Sequence, residues 1–580
     1  MVEIHAPGGP LPHIPDDLTL PQFILDSHHP TRPIRGEGIP WLIEDRTGRR
    51  IGVEELRART FGLANGLSLK FNLSMFITLL IFSPNHVDYP VAIWAVHRLG
   101  GIISGANPSY TSEELAYQLI STEAKVAFVH PAILQTTLAA AHEANFPLDR
   151  IVLFDSDSGS SSSPITSAIH DLIAEGLTRP PHFRERRLDP GEGKTKIAFL
   201  SFSSGTTGRP KAVAVPHYAP IANCIQMAVH HKVNESYAPW EERRFRPGDV
   251  SIAVLPFFHI YGLIVNLHFM LLSGLSLVVV PKFHFEEMLR SIVRYRITHL
   301  FLVPPQIVLL CKHPAVKSYD LSHIRFIMAG AAPVSAELTM QLVKVLPNCA
   351  IGQGYGMTET ATSVANISIH QKVGTLGSAG TLVPGVVARV VRPDGSLAKI
   401  GEQGELFVKS PANALCYLNN EEATKETFID GWVRTGDEVI INEGAELFII
   451  DRLKEIMKVR GYQVAPAELE GHLLSHPDVA DACVVGVPDE YSGELPFAFI
   501  TLHSRSAGRI AGNPKEAEQI KDSIIRHVAE HKVHYKHLAG GVHFIDVIPK
   551  NPSGKLLRRL LRDQAKQLRA KSTMTIRPRL

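Results

Sequence analysis

Nine residues after a short apolar run have the composition of a loop that binds phosphate. They are Ser203, Ser204, Gly205, Thr206, Thr207, Gly208, Arg209, Pro210 and Lys211, and residues 197–200 form the apolar run. Glycines let the backbone approach an anion, hydroxyl and N–H groups donate to it, and lysine adds a mobile positive charge. The Gly-Lys-Ser/Thr ending of a Walker A loop is missing, and Pro210 interrupts the segment. The alternative is a solvated turn.

Six further segments combine small residues with polar groups that could hold a nucleotide. They are residues 255–262, 329–333, 352–360, 432–437, 458–466 and 549–555. Residues 329–333 form a small-residue turn against which a planar ring could lie. Residues 352–360 add an aromatic side chain, a hydroxyl and a carboxylate. Asp437 could accept hydrogen bonds from both hydroxyl groups of a ribose.

The elements that must position these segments alternate along the chain. Four short apolar runs separated by helical patterns predict an α/β fold with mostly parallel sheets. These runs are residues 126–129, 151–154, 252–255 and 299–303. Runs at 386–391 and 404–408 predict an antiparallel meander or small barrel. We expect a domain boundary near residue 451, with a compact α/β unit after it.

Composition excludes several other classes of protein. The chain has 580 residues, too many for one core, and its net charge of +2 gives no sign of nucleic-acid binding. Five cysteines lack the spacing of a metal site or a disulfide framework. They are Cys224, Cys311, Cys349, Cys416 and Cys483. Residues 257–280 carry no Asp, Glu, Lys or Arg. Gly262, Gly274 and the β-branched end of that segment favour a buried helix and strand over a transmembrane segment.

Taken together, these segments resemble those of the adenylate-forming superfamily, which includes acyl-CoA synthetases, beetle luciferases and the adenylation domains of peptide synthetases. The resemblance covers about residues 40–565 and is closest to 4-coumarate–CoA ligases. That branch shares Phe-His-Ile-Tyr at 258–261, Gln-Gly-Tyr-Gly-Met-Thr-Glu at 353–359 and Asp-Arg-Leu-Lys-Glu at 451–455.

The resemblance implies a particular α/β architecture. A large N-terminal domain of two helix-flanked β-sheets plus a small β-barrel precedes a small mobile α/β C-terminal domain. The implied divisions are an N-terminal arm at 1–40, an adenylation domain with the acyl and ATP sites at 41–450, a hinge at 451–454 and a mobile domain at 455–580.

The resemblance also implies a two-step ligase reaction that uses ATP, Mg²⁺ and coenzyme A. A carboxylate first attacks the α-phosphate of ATP, which gives an acyl-adenylate and pyrophosphate. The thiol of coenzyme A then displaces AMP. The implied partners are these small molecules, without nucleic acid and without a transmembrane segment.

Residue roles are carried over from the family motifs. Lys555 would catalyse adenylation, Lys458 and Gln463 would serve thioester formation, and His259 would gate the second step. The implied ATP or AMP contacts are Ser203, Ser204, Gly205, Thr206, Thr207, Gly208, Lys211, Ala331, Ala332, Gln353, Gly354, Tyr355, Gly356, Thr358, Asp437 and Arg452. The implied acyl pocket consists of Phe258, His259, Tyr261, Gly330, Gly354, Thr362 and Ser363. Arg460 and Gly461 would contact coenzyme A, Lys454 would be the hinge, and Glu359 would bind Mg²⁺.

The likeness to 4-coumarate–CoA ligases departs at residues 360–364, where the usual Ala-Gly-Pro-Val continuation is absent. An aromatic acid of the cinnamate, benzoate or phenylacetate type, or a medium-chain fatty acid, is therefore expected in place of a hydroxycinnamate. A stand-alone acid-adenylating enzyme of the luciferase-like or amino-acid-activating type is the alternative. The amino-acid version lacks support because residues 255–262 contain no carboxylate to pair with an ammonium group. A non-catalytic scaffold would be expected to lose Lys555 or Glu359, and both are present.

Two further signals lie near the C-terminus. His527, His531, His534 and His537 could suggest a metal site, but a hydrated helix face is favoured because no metal motif surrounds them. The terminal residues Pro578, Arg579 and Leu580 loosely resemble a peroxisomal address that an import receptor would read. The expected location is cytoplasmic or peroxisomal.

Overall fold

The structure is a computed structural model that describes residues 3–73, 77–155, 165, 167–203, 210–460, 462–489, 491–550 and 554–575, the last six of these by their backbone alone. Parts of four predicted features lie outside the described residues. These are residues 204–209 of the phosphate loop (Ser204, Gly205, Thr206, Thr207, Gly208 and Arg209), residues 551–553 of the segment at 549–555, the coenzyme A contact Gly461, and the terminal Pro578, Arg579 and Leu580.

Over the described residues, helices and strands alternate as the sequence predicts. The α-helices are α1 Val53–Phe71, α2 Tyr89–Arg98, α3 Ser112–Ser121, α4 Leu134–Glu143, α5 Ile169–Thr178, α6 Tyr218–His230, α7 Met270–Leu272, α8 Phe285–Tyr295, α9 Pro304–Lys312, α10 Ala336–Val345, α11 Glu421–Thr427, α12 Pro466–Leu473, α13 Ser504–Ile510, α14 Pro514–His531 and α15 Arg558–Thr575. Two π-helices span Gln22–Asp26 and Tyr261–Phe269. Short 3₁₀ turns span Pro131–Ile133, Leu148–Arg150, Glu192–Lys194, Trp240–Glu242, Pro314–Ser318, Thr358–Thr360 and His534–Lys536.

The strands fall into four sheets. They are β1 Ile4–His5, β2 Leu42–Glu44, β3 Arg50–Ile51, β4 Thr78–Phe82, β5 Ile102–Ala106, β6 Val126–Val129, β7 Ile151–Leu153, β8 Ile197–Ser203, β9 Lys211–Pro216, β10 Val250–Ala253, β11 Ser276–Val279, β12 His299–Leu302, β13 Phe326–Ala329, β14 Ala350–Met357, β15 Thr362–Asn366, β16 Thr381–Leu382, β17 Val387–Val391, β18 Gln403–Lys409, β19 Cys416–Tyr417, β20 Phe428–Ile429, β21 Trp432–Ile441, β22 Leu447–Arg452, β23 Met457–Val459, β24 Tyr462–Val464, β25 Val479–Asp489, β26 Gly493–Leu502 and β27 Gly541–Phe544.

Two large sheets carry most of the chain before residue 383. One has the order β19-β9-β8-β5-β4-β6-β7, and the other has the order β16-β15-β14-β13-β12-β10-β11-β2-β3. In the first, β4 pairs in parallel with β5 and β6, and all five of its residues are buried. A strand with no exposed face needs packing on both sides, which the flanking helices supply. The largest apolar core contains residues of both sheets, among them Phe199 and Phe301.

Two of the predicted motifs lie at one edge of the parallel part of the second sheet. Strands β14, β13, β12, β10, β11 and β2 are parallel neighbours. The segments at 329–333 and 352–360 lie at the carboxyl ends of β13 and β14. Ligands of open α/β sheets bind at this edge. The sheet order therefore brings motifs that are distant in sequence to a common edge.

The region predicted as a meander or small barrel is an antiparallel sheet. Its order is β1-β17-β18-β21-β20, and β22 also pairs with β21. The arm predicted at 1–40 packs against the rest of the chain, since Ile4 pairs with Ala388 and Phe23 is buried.

A separate sheet and its helices form a C-terminal domain. The order β24-β23-β26-β25, with β27 on β26, uses only residues after 456. Its apolar core includes Leu469 of α12 and Ile524 of α14.

The apolar segment at 257–280 is a buried helical stretch followed by the buried strand β11, as predicted. In the part of the chain that the structure describes, no helix is both long and apolar enough to cross a membrane.

Candidate active site

The residues on either side of the predicted phosphate loop form the end of a β-hairpin. Ser203 at the end of β8 pairs with Lys211 at the start of β9. The ammonium group of Lys211 lies 4.8 Å from the centre of the Tyr417 ring. Tyr417 in turn donates a 2.7 Å hydrogen bond to Oε1 of Glu359. One tyrosine therefore connects the basic end of the hairpin to the predicted magnesium ligand.

A short turn and a backbone hydrogen bond from a distant residue hold Glu359 in place. It lies in the 3₁₀ turn Thr358–Thr360 that follows β14, and its side chain and that of Thr358 are buried. Its backbone oxygen accepts a 2.8 Å hydrogen bond from the N–H of Ala414. Burial, with the negative charge of Glu359 second, raises the pKa of Tyr417 far above its usual range. The tyrosine therefore remains a hydrogen-bond donor to this carboxylate at every physiological pH.

A second carboxylate, that of Asp437 in β21, is hydrogen-bonded to a side chain of β14. Tyr355 donates a 2.6 Å hydrogen bond to Oδ2 of Asp437, and Nε of Arg452 lies 3.3 Å from Oδ1. Asp437 and Arg452 are partners in the β21–β22 register. Asp437 is only 4% exposed, so this ion pair is shielded from solvent on the carboxylate side. The predicted ribose-binding acid thus has one donor on each oxygen.

The predicted adenine-binding turn depends on the close approach of its neighbours. A Cβ atom at Gly330 would lie 2.8 Å from the Tyr261 ring. The side chain of Gln353 donates to the carbonyl oxygen of Val334 (3.1 Å) and accepts from its N–H (2.8 Å). Ala331 has a φ of +69°, in the left-handed region, and Ala331 and Ala332 are not buried. Gln353 therefore fixes the shape of a turn whose small residues stay accessible.

Two glycines of β14 permit an equally tight contact with β15. A Cβ at Gly356 would lie 1.5 Å from the carbonyl oxygen of Thr362, and one at Gly354 would lie 2.7 Å from Oδ1 of Asn366. A side chain at either position would push the two strands apart. These glycines thereby keep Tyr355 and Thr358 in register with the rest of the site.

Lys555 reaches this cluster from the C-terminal domain. Its pKa is lowered to about 8, first by burial and second by the positive charge of Arg452. The carboxylates of Glu455, Asp437 and Glu359 act in the opposite direction. Burial and the charge of Lys555 together lower the pKa of His259 to about 4. The structure thus brings Lys555, Glu359, Asp437 and His259 into one electrostatic environment.

A buried ion network fixes the start of the helix that follows Lys555. Arg558, the first residue of α15, donates a 2.7 Å hydrogen bond to Oε2 of Glu470, and its Nε lies 3.1 Å from Oε2 of Glu455. Oε1 of Glu470 accepts from the N–H of Val484 at 2.7 Å. Burial raises the pKa of Glu470 to about 7 although Arg558 opposes the shift. Arg558 thus joins α15 to α12 and to the segment just after the predicted hinge.

Lys458 and Gln463, predicted to serve thioester formation, lie in an exposed hairpin of the C-terminal domain. Lys458 and Gln463 face each other in the β23–β24 hairpin, and both are exposed. Oε1 of Gln463 accepts a 3.4 Å hydrogen bond from Nε2 of Gln403. Arg460 has a φ of +51° at the tip of the hairpin and stacks 5.3 Å from the Tyr491 ring. Lys454 lies in the turn after β22.

The predicted acyl-pocket residues expose fewer hydroxyl groups than their types suggest. Thr362 donates to the carbonyl oxygen of Ile260 (3.1 Å), and Tyr261 donates to that of Met328 (3.3 Å). The hydroxyl of Ser363 lies 3.3 Å from Sδ of Met227. Phe258 packs its backbone on β5, since a Cβ at Gly105 would lie 3.0 Å from its Cα. Methyl groups and ring faces remain to contact an acyl group.

Sequence reasoning missed two parts of this site. Tyr417 belongs to a two-residue strand that pairs with β9, and no local pattern marks it. The Arg558–Glu470 pair joins residues 88 positions apart. The sequence does carry a signal for Arg558, because it follows Lys555 by three residues and begins a segment rich in Lys and Arg.

Comparison with known proteins identifies the class. A model described as "AMP-binding enzyme" matches residues 35–418, and one described as "AMP-binding enzyme C-terminal domain" matches residues 468–555. The chain belongs to the family of AMP-binding enzymes.

Similar proteins narrow this class to CoA ligases. A probable CoA ligase of Humulus lupulus, CCL5, is 36% identical over 523 residues, 89% of either chain. The 4-coumarate–CoA ligase-like 4 protein of Oryza sativa subsp. japonica is 34% identical, over 95% of this chain and 93% of its own. The predicted likeness to this branch is confirmed.

The solved structures support the fold. The anthranilate CoA ligase AuaEII in complex with anthranoyl-AMP has a TM-score of 0.80 with this chain at 23% identity, over 96% of this chain and 99% of that one. This similarity confirms the predicted α/β architecture.

We predict that Arg558 positions Lys555. The variant Arg558→Met leaves Glu470 and Glu455 without their buried partner. In comparable buried ion pairs, removal of one partner lowers the free energy of unfolding by about 3–5 kcal/mol. Acyl-adenylate formation should slow by at least tenfold, because the start of α15 is no longer fixed. The measurement is pyrophosphate release in single-turnover conditions.

The matched control for this prediction is Arg559→Met, because Arg559 is exposed on the next position of α15. A conservative variant, Glu470→Gln, keeps an acceptor for Val484 and should lose less activity than Arg558→Met. Thermal unfolding separates a positioning effect from general unfolding. Equal adenylation rates in folded Arg558→Met and Arg559→Met would contradict the assignment.

Proposed function

We propose that the chain is an ATP-dependent carboxylic acid–CoA ligase that works in two steps. The carboxylate oxygen of the acid bonds to the α-phosphorus of ATP, and the bond to pyrophosphate breaks. The sulfur of coenzyme A then bonds to the acyl carbon, and AMP leaves while the thiol proton passes to solvent. The observation that carries this proposal is the convergence of Lys555 with Glu359 and Asp437.

ATP would bind with its triphosphate toward the β8–β9 hairpin. Lys211, at the start of β9, supplies a positive charge for the terminal phosphates, and Thr358 lies beside Glu359 at the end of β14. Asp437 would accept hydrogen bonds from the ribose, and the turn at 330–333 would contact adenine. Ser203 and the residues that follow it would complete the phosphate site.

The donor set at Glu359 suits Mg²⁺. This ion prefers oxygen ligands and is bound through one or two carboxylates together with substrate phosphates. Oε1 of Glu359 accepts from Tyr417, which leaves Oε2 for a cation. When bound, Mg²⁺ would neutralise phosphate charge. Tyr417 orients the carboxylate for that role, and Lys211 adds a second positive charge nearby.

Lys555 would be the catalyst of the first step. An ammonium group between the acid and the α-phosphate stabilises the negative charge that develops there. Its pKa of about 8 leaves it mostly protonated at neutral pH, and the approach of a triphosphate would favour the charged form further. Burial strengthens its interaction with the reacting phosphate.

We expect Lys555→Gln to separate the two steps. Removal of the charge should lower the rate of acyl-adenylate formation by about 100-fold or more, as loss of a preorganised charge-stabilising group typically does. Thioester formation from supplied acyl-adenylate should change little, because that step does not use this charge. The measurement is pyrophosphate release for the first step and acyl-CoA formation for the second. A comparable loss in both steps would contradict the role.

The second step requires a different arrangement of the C-terminal domain. We propose divisions at 1–40, 41–450, 451–454 and 455–580, with Lys454 in the hinge. Reorientation of the last part would bring Lys458 and Gln463 to the adenylate, His259 would respond at the pocket, and Arg460 and Gly461 would contact coenzyme A. The exposure of the β23–β24 hairpin in the present arrangement supports this proposal.

Lys312 would stabilise the present arrangement. Its Nζ donates to the backbone oxygens of Leu474 and Val479, both at 3.4 Å, and so connects α9 to the C-terminal domain. Lys312→Met should slow adenylation by about two- to tenfold, because the free energy lost corresponds to about one hydrogen bond. The rate of thioester formation should not change. The half-reaction assays above measure both rates. Lys317→Met, at an exposed position five residues later, is the control, and equal rates in the two variants would contradict the role.

The substrate is proposed to be an aromatic or medium-chain acid. The hydroxyls of Thr362 and Tyr261 are committed to backbone carbonyls, so the pocket walls contribute apolar surface. In support, the solved anthranilate CoA ligase with its anthranoyl-AMP has the same fold.

A screen of carboxylic acids tests the proposed function. With ATP, Mg²⁺ and coenzyme A all present, cinnamate, benzoate, phenylacetate or medium-chain acids should give AMP and acyl-CoA, and omission of any component should stop acyl-CoA formation. Pyrophosphate release and mass spectrometry of the thioester are the measurements. Absence of turnover with every aromatic and aliphatic acid would overturn the proposal.

Delivery to peroxisomes through the terminal Pro-Arg-Leu remains part of the proposal, and imaging of a chain lacking these residues tests it.

A further inference from the structure

Three histidines from two helices converge on the surface of the C-terminal domain. His472 lies on α12, and His527 and His531 lie on α14. One ring nitrogen from each falls within 4.8 Å of those of the other two. The sequence shows why two of them share a face, because residues four positions apart in a helix are neighbours. His472 is 55 residues earlier than His527, and this contact is what the sequence-based interpretation of a hydrated helix face missed.

The three rings pack directly against one another, two of them stacked. His472 and His527 are parallel, with centres 4.3 Å apart, and His531 lies 5.2 Å from the first ring and 5.4 Å from the second. The remaining histidines of this region differ. His534 is exposed, and the Nε2 of His537 contacts the carbonyl oxygen of Lys532 at 2.9 Å.

Hydrogen bonds from one nitrogen fix each of the three rings, as is usual for metal ligands. Nε2 of His527 lies 3.0 Å from Oγ of Ser475 and 3.3 Å from the carbonyl oxygen of His472. The carbonyl oxygen of His527 lies 3.1 Å from Nε2 of His472 and 3.0 Å from Nδ1 of His531. A ring nitrogen that donates to this oxygen leaves the other nitrogen of its ring with a lone pair. Ligating histidines in proteins are typically fixed by such a hydrogen bond from the second nitrogen.

The surroundings do not oppose a cation. The nearby ammonium groups of Lys532 and Lys536 are both paired with Glu468, at 3.0 and 2.5 Å. His476 packs against His527, but its Nε2 contacts Ser523 and its Nδ1 accepts from the N–H of Asp478. His531 is exposed, so solvent reaches the cluster and could supply a fourth ligand.

We propose that His472, His527 and His531 bind one divalent transition-metal ion of the zinc class. Zn²⁺ takes imidazole nitrogens at about 2.0–2.1 Å in a tetrahedral site, and water can fill the fourth position. Because the rings of His472 and His527 are stacked, one of them would rotate about its side-chain torsions to bind the same ion, and the exposed ring of His531 would close the remaining distance. The ion would join α12 to α14 and stabilise the C-terminal domain, because a ligand that binds only the folded state opposes unfolding. This site has imidazole ligands and is separate from the carboxylate at Glu359.

Metal titration of the tag-free full-length chain tests the proposal. The protein is first treated with chelator and then kept in excess Mg²⁺, which occupies oxygen sites. Addition of Co²⁺ should produce the intense visible absorption of a tetrahedral site, with about one equivalent bound per chain. Zn²⁺ should displace the Co²⁺ and raise the unfolding temperature.

Single variants identify the ligands. His472→Gln, His527→Gln and His531→Gln should each weaken Zn²⁺ binding by about tenfold or more. His534→Gln and His476→Gln should bind as the original chain does. Because a glutamine variant could disturb packing, carbethoxylation of histidines in the original chain provides a second measurement. Zn²⁺ should protect His472, His527 and His531 selectively from this reagent, as read by mass spectrometry.

The opposite results would overturn the proposal. Absence of the tetrahedral Co²⁺ spectrum in the original chain, or equal binding by the three variants and the controls, would exclude the site. Protection by Zn²⁺ of His534 to the same extent as His531 would show only non-specific surface binding.

Discussion

The enclosure of opposite charges in one cleft is the constraint on which the rest of this structure depends. Asp437 and Glu359 are each 5% exposed or less. A carboxylate removed from water is unfavourable unless it is paired and hydrogen-bonded. Arg452 and Tyr355 meet this need at Asp437, and Tyr417 meets it at Glu359. Lys211 and Lys555 add positive charge, so the cleft as a whole suits a polyanion.

This constraint explains the close contacts of the strands around the cleft. On either side of Tyr355, Gly354 and Gly356 allow β14 to run tightly against β15. The hydroxyl groups of Thr362 and Tyr261 likewise donate to backbone oxygens, and those of Tyr355 and Tyr417 donate to the two carboxylates.

The sequence predicts the parts of this arrangement that are local. Apolar runs such as residues 126–129 and 299–303 correspond to strands β6 and β12, and the motif at 352–360 marks the end of β14. The hydrophobic periodicity and the composition of a short segment are enough to predict these features. The partners Tyr417, Glu470 and His472 could not be predicted in this way, because each acts through a contact with a residue 55 or more positions away. Such contacts depend on sheet order and helix packing, and a single sequence does not specify these.

The packing of the C-terminal domain bears on how one cleft could serve two steps. Lys555 precedes α15, which packs on β25, while Lys458 lies on β23, which pairs with β26. Because β25 and β26 pair along ten residues, these elements form one sheet and must move together. In the proposed reorientation, Lys555 and the β23–β24 hairpin would therefore move as one body. The contacts of Lys312 with Leu474 and Val479 are among those that this movement would break.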